Sequence, residues 1–175
     1  DIKGAFLTGK RMEVLRAIVE KKGREAITVV TTMDAFLDGL PSKEELCGNR
    51  IKIHAEEALD FQKLQENLSI LGYERENQVE SPGQFAVRGG ILDVFPLTEE
   101  NPVRIELWGD EVDSIRSFDV ESQRSTENLQ EIEIYPATEN WKQMETESFL
   151  AYFPVKETIL FLDEPVRLQE SAEIV

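Results

Sequence analysis

Two short stretches carry residue types that could turn over a nucleotide. Residues 4–11, GAFLTGKR, match a phosphate-binding loop at Gly4, Gly9 and Lys10, but Arg11 stands where a Ser or Thr hydroxyl would hold magnesium. A phosphate loop also follows a buried strand, and the three residues ahead of Gly4 do not make one. Near the other end, the apolar run 158–162 leads into Asp163 and Glu164, the order in which motor ATPases present a magnesium-binding Asp and a water-orienting Glu. Beside an intact phosphate loop this pair would be a strong signal, and without one it is weak. An ATPase or helicase fragment built on Lys10, Asp163 and Glu164 is therefore the alternative reading. The single histidine, His54, and single cysteine, Cys47, cannot supply a Ser-His-Asp triad with a choice of base, a Cys/His zinc cluster or an internal disulfide. No catalytic residue, cofactor or metal ligand is expected.

A different chemistry, recognition, is offered by residues 103–108, VRIELW. Val103, Ile105 and Leu107 alternate with Arg104, Glu106 and Trp108, so one face of a strand is core and the other is not. Arg104 and Trp108 share the outer face, about 13 Å apart. Arg and Trp are the side chains most enriched among interface hot spots, because each joins large contact area to a polar handle. Arg88, at the mouth of a Gly-Gly turn, is a third candidate. Truncating any of the three is expected to leave the fold intact. The same pattern also fits a cation–π pair on a solvated sheet, or a Trp covered by another part of the chain.

These residues need a sheet to hold them. Residues 84–87 and 91–95 read as strands joined at Gly89-Gly90, which suits the positive φ of a primed hairpin turn. The polar turn 99–102 leads into 103–108, and Gly109-Asp110 returns the chain through 112–118. The spacing of Val112, Ile115 and Phe118 breaks alternation and predicts a bulge. Residues 50–54 and the EIEIY run with Ile132 and Ile134 are further strands, the latter ended by Pro136. Phe61, Leu64, Leu68 and Leu71 predict an amphipathic helix, capped by Asp60 and closed by Gly72, that covers the inner face of the sheet. Residues 48–137 thus form an α+β domain with a mainly antiparallel sheet.

The flanks have another character. Met12, Leu15, Ile18 and Val19 recur at helical spacing up to Gly23, residues 26–31 read as a buried strand, and Thr32 or Asp34 starts a small helix that stops at Leu40-Pro41. Helix, strand and helix make part of a parallel α/β sheet rather than a complete domain. Beyond 137, a helix-like run carries Trp141, Met144, Phe149 and Tyr152, and 158–162 is an apolar strand. Charge follows the same division. The formal net charge is -16, with eight basic and eight acidic residues in 1–47 against 11 and 27 in 48–175. So acidic a chain is not suited to wide contact with nucleic acid phosphates. At 41% apolar and 31% charged, with no apolar run of bilayer length and no signal-peptide pattern, the composition is that of a cytoplasmic protein with no membrane contact.

Residues 82–125, PGQFAVRGGILDVFPLTEENPVRIELWGDEVDSIRSFDVESQRS, resemble the UvrB-homology module of the bacterial transcription-repair coupling factors, the Mfd family. The likeness continues through RIKIHAEEALDFQKLQENLSILGYERENQVE before it and ETILFLDEPVRLQE after it, covering most of the chain. UvrB is similar in the same place, but 101–111 and 114–125 stand closer to Mfd. An N-terminal piece of UvrB remains a third reading; it would require a DNA-gripping hairpin and an intact phosphate loop in its parent. The resemblance implies a domain whose sheet edge binds the damage-recognition protein UvrA, with the family's contact residues falling on Arg88, Arg104 and Trp108. The family commonly has Phe at the position of Trp108, so this chain adds size and an indole N–H. It also implies that 1–47 and 138–175 belong to an incomplete helicase-like parallel α/β domain without ATPase activity, into which 48–137 is inserted, and that 4–11 is a loop entering a helix. The family normally has a much longer segment between Glu139 and Phe149. For the whole protein the implication is recognition of stalled RNA polymerase, an ATP-driven motor on double-stranded DNA outside these residues, and recruitment of UvrA.

Overall fold

The computed structural model describes residues 2–21, 26–137 and 146–172. In chain order the elements are α1 (Ile2–Val19), α2 (Met33–Leu37), β1 (Leu40–Pro41), α3 (Lys43–Gly48), β2 (Ile51–His54), α4 (Phe61–Ile70), β3 (Glu74–Arg75), β4 (Gln84–Arg88), β5 (Ile91–Val94), β6 (Val103–Trp108), β7 (Glu111–Phe118), β8 (Ser125–Leu129), β9 (Glu131–Ile134), β10 (Thr146–Glu147) and α5 (Pro165–Ala172). They fall into two compact units, Asp1–Leu15 with Leu46–Glu139, and Arg16–Glu45 with Asn140–Val175.

The larger unit is built on a six-stranded sheet in the order β3-β4-β5-β6-β7-β8, antiparallel throughout except for the parallel pair β3 and β4. A second, two-stranded antiparallel sheet pairs β2 with β9. The Gly89-Gly90 turn joins β4 to β5, with Arg88 opposite Ile91 and Gly89 at φ 60. Its neighbour Gly90 lies so close to β6 that an added Cβ would stand 3.1 Å from the Leu107 carbonyl oxygen.

Helix α4 forms where its signals say it should. The Asp60 carboxylate accepts from the Lys63 backbone N–H at 2.9 Å, satisfying one of the first-turn donors. At the far end Gly72 takes φ 86, Tyr73 N–H donates to the Leu68 carbonyl and Gly72 N–H to that of Ser69, a Schellman closure. Leu64 and Leu68, one turn apart, are buried in a core with Phe85, Leu92, Val94, Val103, Ile105, Val112 and Ile115 of the sheet and Ile53, Ile132 and Ile134 of the small sheet. Burying each leucine contributes about 1.5–3 kcal/mol.

The predicted bulge is present in β7. Glu106 faces Ser114 and the next residue, Leu107, faces Val112, so Asp113 is the extra residue. It lets Val112 and Ile115, three apart, both point into the core, while Phe118 turns to the opposite face and is still fully buried.

The smaller unit has local caps and one short ladder. Thr32 caps α2, and Ser42 and Glu45 exchange backbone bonds at the start of α3 as a capping box. Antiparallel β1 and β10 are two residues each. Tyr152 donates its hydroxyl hydrogen to the Pro41 carbonyl at 2.6 Å, and Phe149 meets Phe36 and Phe153 edge to face.

Four expectations change. Residues 26–31 form no strand and are largely exposed, and 158–162 form none either, with Phe161 87% exposed. Strand propensity is realised only against a partner ladder, and among the described residues of this unit the one ladder is β1 with β10. The run 141–152 is no single helix: Phe149–Tyr152 is one 3₁₀ turn, while Trp141 and Met144 lie outside the described residues. Residues 4–11 are neither a phosphate loop nor a loop entering a helix. They lie inside α1, where backbone N–H groups past the first turn are spent on the helix. There Gly9 is required by packing, since a Cβ would come within 2.9 Å of the Leu97 carbonyl oxygen. The fold class shown is therefore mixed, an α+β domain with a mostly antiparallel sheet, and no helicase-like parallel sheet is among the described residues.

Candidate functional site

The face of the six-stranded sheet away from α4 should be polar by alternation, and it holds a charged network instead of scattered side chains. Register lines up Ala86, Asp93, Arg104 and Arg116 across β4, β5, β6 and β7, with Arg88, Ile91, Glu106 and Ser114 in the row two residues on. Asp93 sits at the centre and is only 1% exposed. A buried carboxylate is costly unless charges and donors surround it, and here they do. Arg104 donates Nε–H to Oδ1 at 2.7 Å and Nη2–H to Oδ2 at 2.8 Å, a two-pronged pair. Arg88 donates Nη2–H to the same Oδ2 at 2.7 Å.

Arg104 is held from other sides as well. Its guanidinium lies 4.5 Å over the ring of Phe118, and Nη2 donates to Gln123 Oε1 at 3.3 Å. Gln123, at φ 56, is itself fixed by donating to the Val120 carbonyl at 2.7 Å. The hydrogen bond to Asp93 raises the Arg104 pKa above its ordinary value, against the opposing effect of burial. In the next row Arg116 pairs with Glu106, to which Ser114 also donates.

The three residues expected to dock a partner fall out differently. Arg88 and Arg104 are brought together on one carboxylate, Arg88 with 51% of its side chain exposed and Arg104 with 18%. Trp108 stands apart at the end of β6, beside the Gly109 turn, and is 85% exposed. It is not covered by the described chain, and the ring that Arg104 stacks on is Phe118. Arg104 is thus no freely exposed contact residue, which changes what its truncation must do to the fold. Asp93 went unread in the sequence. The signal was there, an acid in the middle of ILDVF on the polar phase of the alternation.

The residues of the alternative reading have local partners, each within its own unit. Lys10 pairs with Glu13 within α1 in the larger unit, whereas Glu164, at φ 50, accepts from Arg167 in the smaller one together with Asp163. Among the described residues no group of three or more His, Cys, Asp or Glu is placed to hold a metal.

The fold and the site define an α+β sheet module with one face given to its own core and the other to an ordered cationic pair and an exposed aromatic. A family model for the UvrB interaction domain matches residues 51–140, which run from β2 through β9, and the chain belongs to that family. It is similar to transcription-repair-coupling factors: 42% identical over 133 residues to that of Bacillus subtilis (strain 168), 37% to that of Staphylococcus aureus (strain bovine RF122 / ET3-1), and 36% to that of Staphylococcus aureus (strain MRSA252). Each match takes in 76% of this chain and 11% of the relative, so the chain spans about a tenth of the length of these relatives.

Proposed function

We propose that this chain is the UvrB-like adaptor module of a transcription-repair coupling factor and that it binds UvrA through the outer face of its sheet, using Arg88, Arg104 and Trp108. The observation that carries the reading is the convergence of Arg88 and Arg104 on buried Asp93, in a domain of the UvrB interaction family, with Trp108 left exposed beyond them. A pair of cations on so acidic a chain suits a carboxylate-bearing partner, and an exposed indole supplies apolar contact. The module performs no catalysis. In the parent protein, in the cytoplasm, it recruits UvrA to a lesion where RNA polymerase has stalled, while a motor elsewhere works on double-stranded DNA. The domain of residues 48–137 is then an insertion into a helicase-like α/β domain formed by 1–47 and 138–175. What supports that reading is that the apolar runs 26–31 and 158–162 are exposed and have no ladder partner among the described residues. No helix among the described residues is long and apolar enough to cross a membrane.

The test is a calorimetric titration of purified UvrA into the folded chain. Wild type should bind, and Arg88→Ala and Trp108→Ala should each weaken binding by about 2 kcal/mol, roughly thirtyfold, with unchanged circular dichroism. Wild-type affinity in both variants would remove the patch from the interface. No binding by wild type would remove the function.

A further inference from the structure

Asp93 is the one carboxylate the fold buries among the described residues. Neutralising it needs one arginine, and Arg104 already takes both of its oxygens. Arg88 adds a second cation on an oxygen that is already occupied, leaving the group with a net positive charge. Two guanidinium groups this close repel each other unless a carboxylate lies between them, so the convergence depends on Asp93. The sheet does not need it for packing, because Arg88 is half exposed and its neighbour across the turn, Ile91, pairs through the backbone.

We propose that Asp93 is a positioning residue of the docking face, drawing Arg88 and Arg104 onto one carboxylate so that their remaining N–H donors form a preorganised seat for an acidic side chain of the partner. The proposal rests on the docking function proposed above. Among the described residues, Arg88 spends one of its five donors, on Asp93, and Arg104 leaves its Nη1 donors unspent. Long arginine side chains normally lose rotamer freedom on binding, and a residue that fixes them beforehand removes that loss from the binding step. Phe118 beneath Arg104 and Gln123 beside it serve the same end.

The test separates positioning from support of the fold. Asp93→Asn keeps the shape and one acceptor but releases the second arginine, and Asp93→Glu keeps the charge but displaces it by a methylene. Both variants should stay folded by circular dichroism and bind UvrA about tenfold more weakly in calorimetry, with the loss in dissociation rate. In a double-mutant cycle, Asp93→Asn should cost about threefold instead of tenfold once Arg88 is alanine, since of the two arginines it positions only Arg104 is left. By nitrogen-15 NMR of the free chain, the Arg104 Nε–H should exchange slowly in wild type and rapidly in Asp93→Asn. Wild-type binding by either folded variant, or equal costs with and without Arg88, would overturn the positioning role while leaving the docking function standing. Unfolding of both variants would assign Asp93 to the fold and overturn it too. Failure of wild type to bind UvrA would overturn the docking function and this proposal with it.

Discussion

At the scale of single residues, the network around Asp93 decides which substitutions hurt the fold and which hurt only recognition. Arg104→Ala withdraws two of the three hydrogen bonds on a buried carboxylate, and breaking such a pair costs about 3 kcal/mol or more. We expect urea denaturation to show that loss, against a change within about 0.5 kcal/mol for Trp108→Ala, whose side chain is largely exposed. Equal stability of the two variants would contradict the burial of Asp93. The lysine of the phosphate-loop lookalike is tested separately. Since Lys10 sits in α1 and pairs with Glu13, magnesium-ATP should give no heat of binding in calorimetry. Binding lost in Lys10→Ala would overturn that.

At the scale of elements, α4 and the β2–β9 pair carry the measurable consequences. Leu68→Ala empties a fully buried position between helix and sheet and should cost about 2–5 kcal/mol by denaturant titration. Glu66, on the exposed side of the same helix, should tolerate alanine with little change. In the small sheet Glu133 faces Lys52, with Arg50 at 3.3 Å. Burial pushes its carboxyl up, but the hydrogen bond from Lys52 and the charges of Arg50 and Lys52 prevail and hold it below the ordinary carboxylate range. A carboxyl depressed in the folded state stabilises above its unfolded pKa, and that stability is lost as pH falls through the folded value. Melting temperatures between pH 7 and about pH 3 should therefore fall less steeply in Glu133→Gln than in wild type. The bulge in β7 was legible because Val112, Ile115 and Phe118 could not share one phase of a regular strand. The parallel β3–β4 contact was not, since a two-residue strand leaves no periodicity to read.

At the scale of the whole molecule, exposed apolar runs matter more than any one contact. The exposed run 158–162 offers Phe161 to protease, while the aromatic residues of the six-stranded sheet lie in paired strands. Limited chymotrypsin digestion followed by mass spectrometry should cut after Phe161 before it cuts anywhere in residues 84–118. First cleavage within 84–118 would mean that the sheet opens more readily than its hydrogen bonding implies.

Much of this chain is local in its logic, and that part was written in the sequence. Asp60 and Gly72 bound α4, Gly89 turns the first hairpin, and alternation in 103–108 separates Val103 and Ile105 from Arg104. Each depends on backbone conformations and side-chain periods within a few residues. Tertiary structure decided what depends on neighbours distant in the chain. The runs 26–31 and 158–162 have strand composition but no ladder partner, and residues 4–11 have a loop motif inside a helix. Likewise, only the register of three strands could show that Arg88 and Arg104 share one buried acid, because a carboxylate is placed by the pairing of β5 with β6 and β4 and not by its own neighbours.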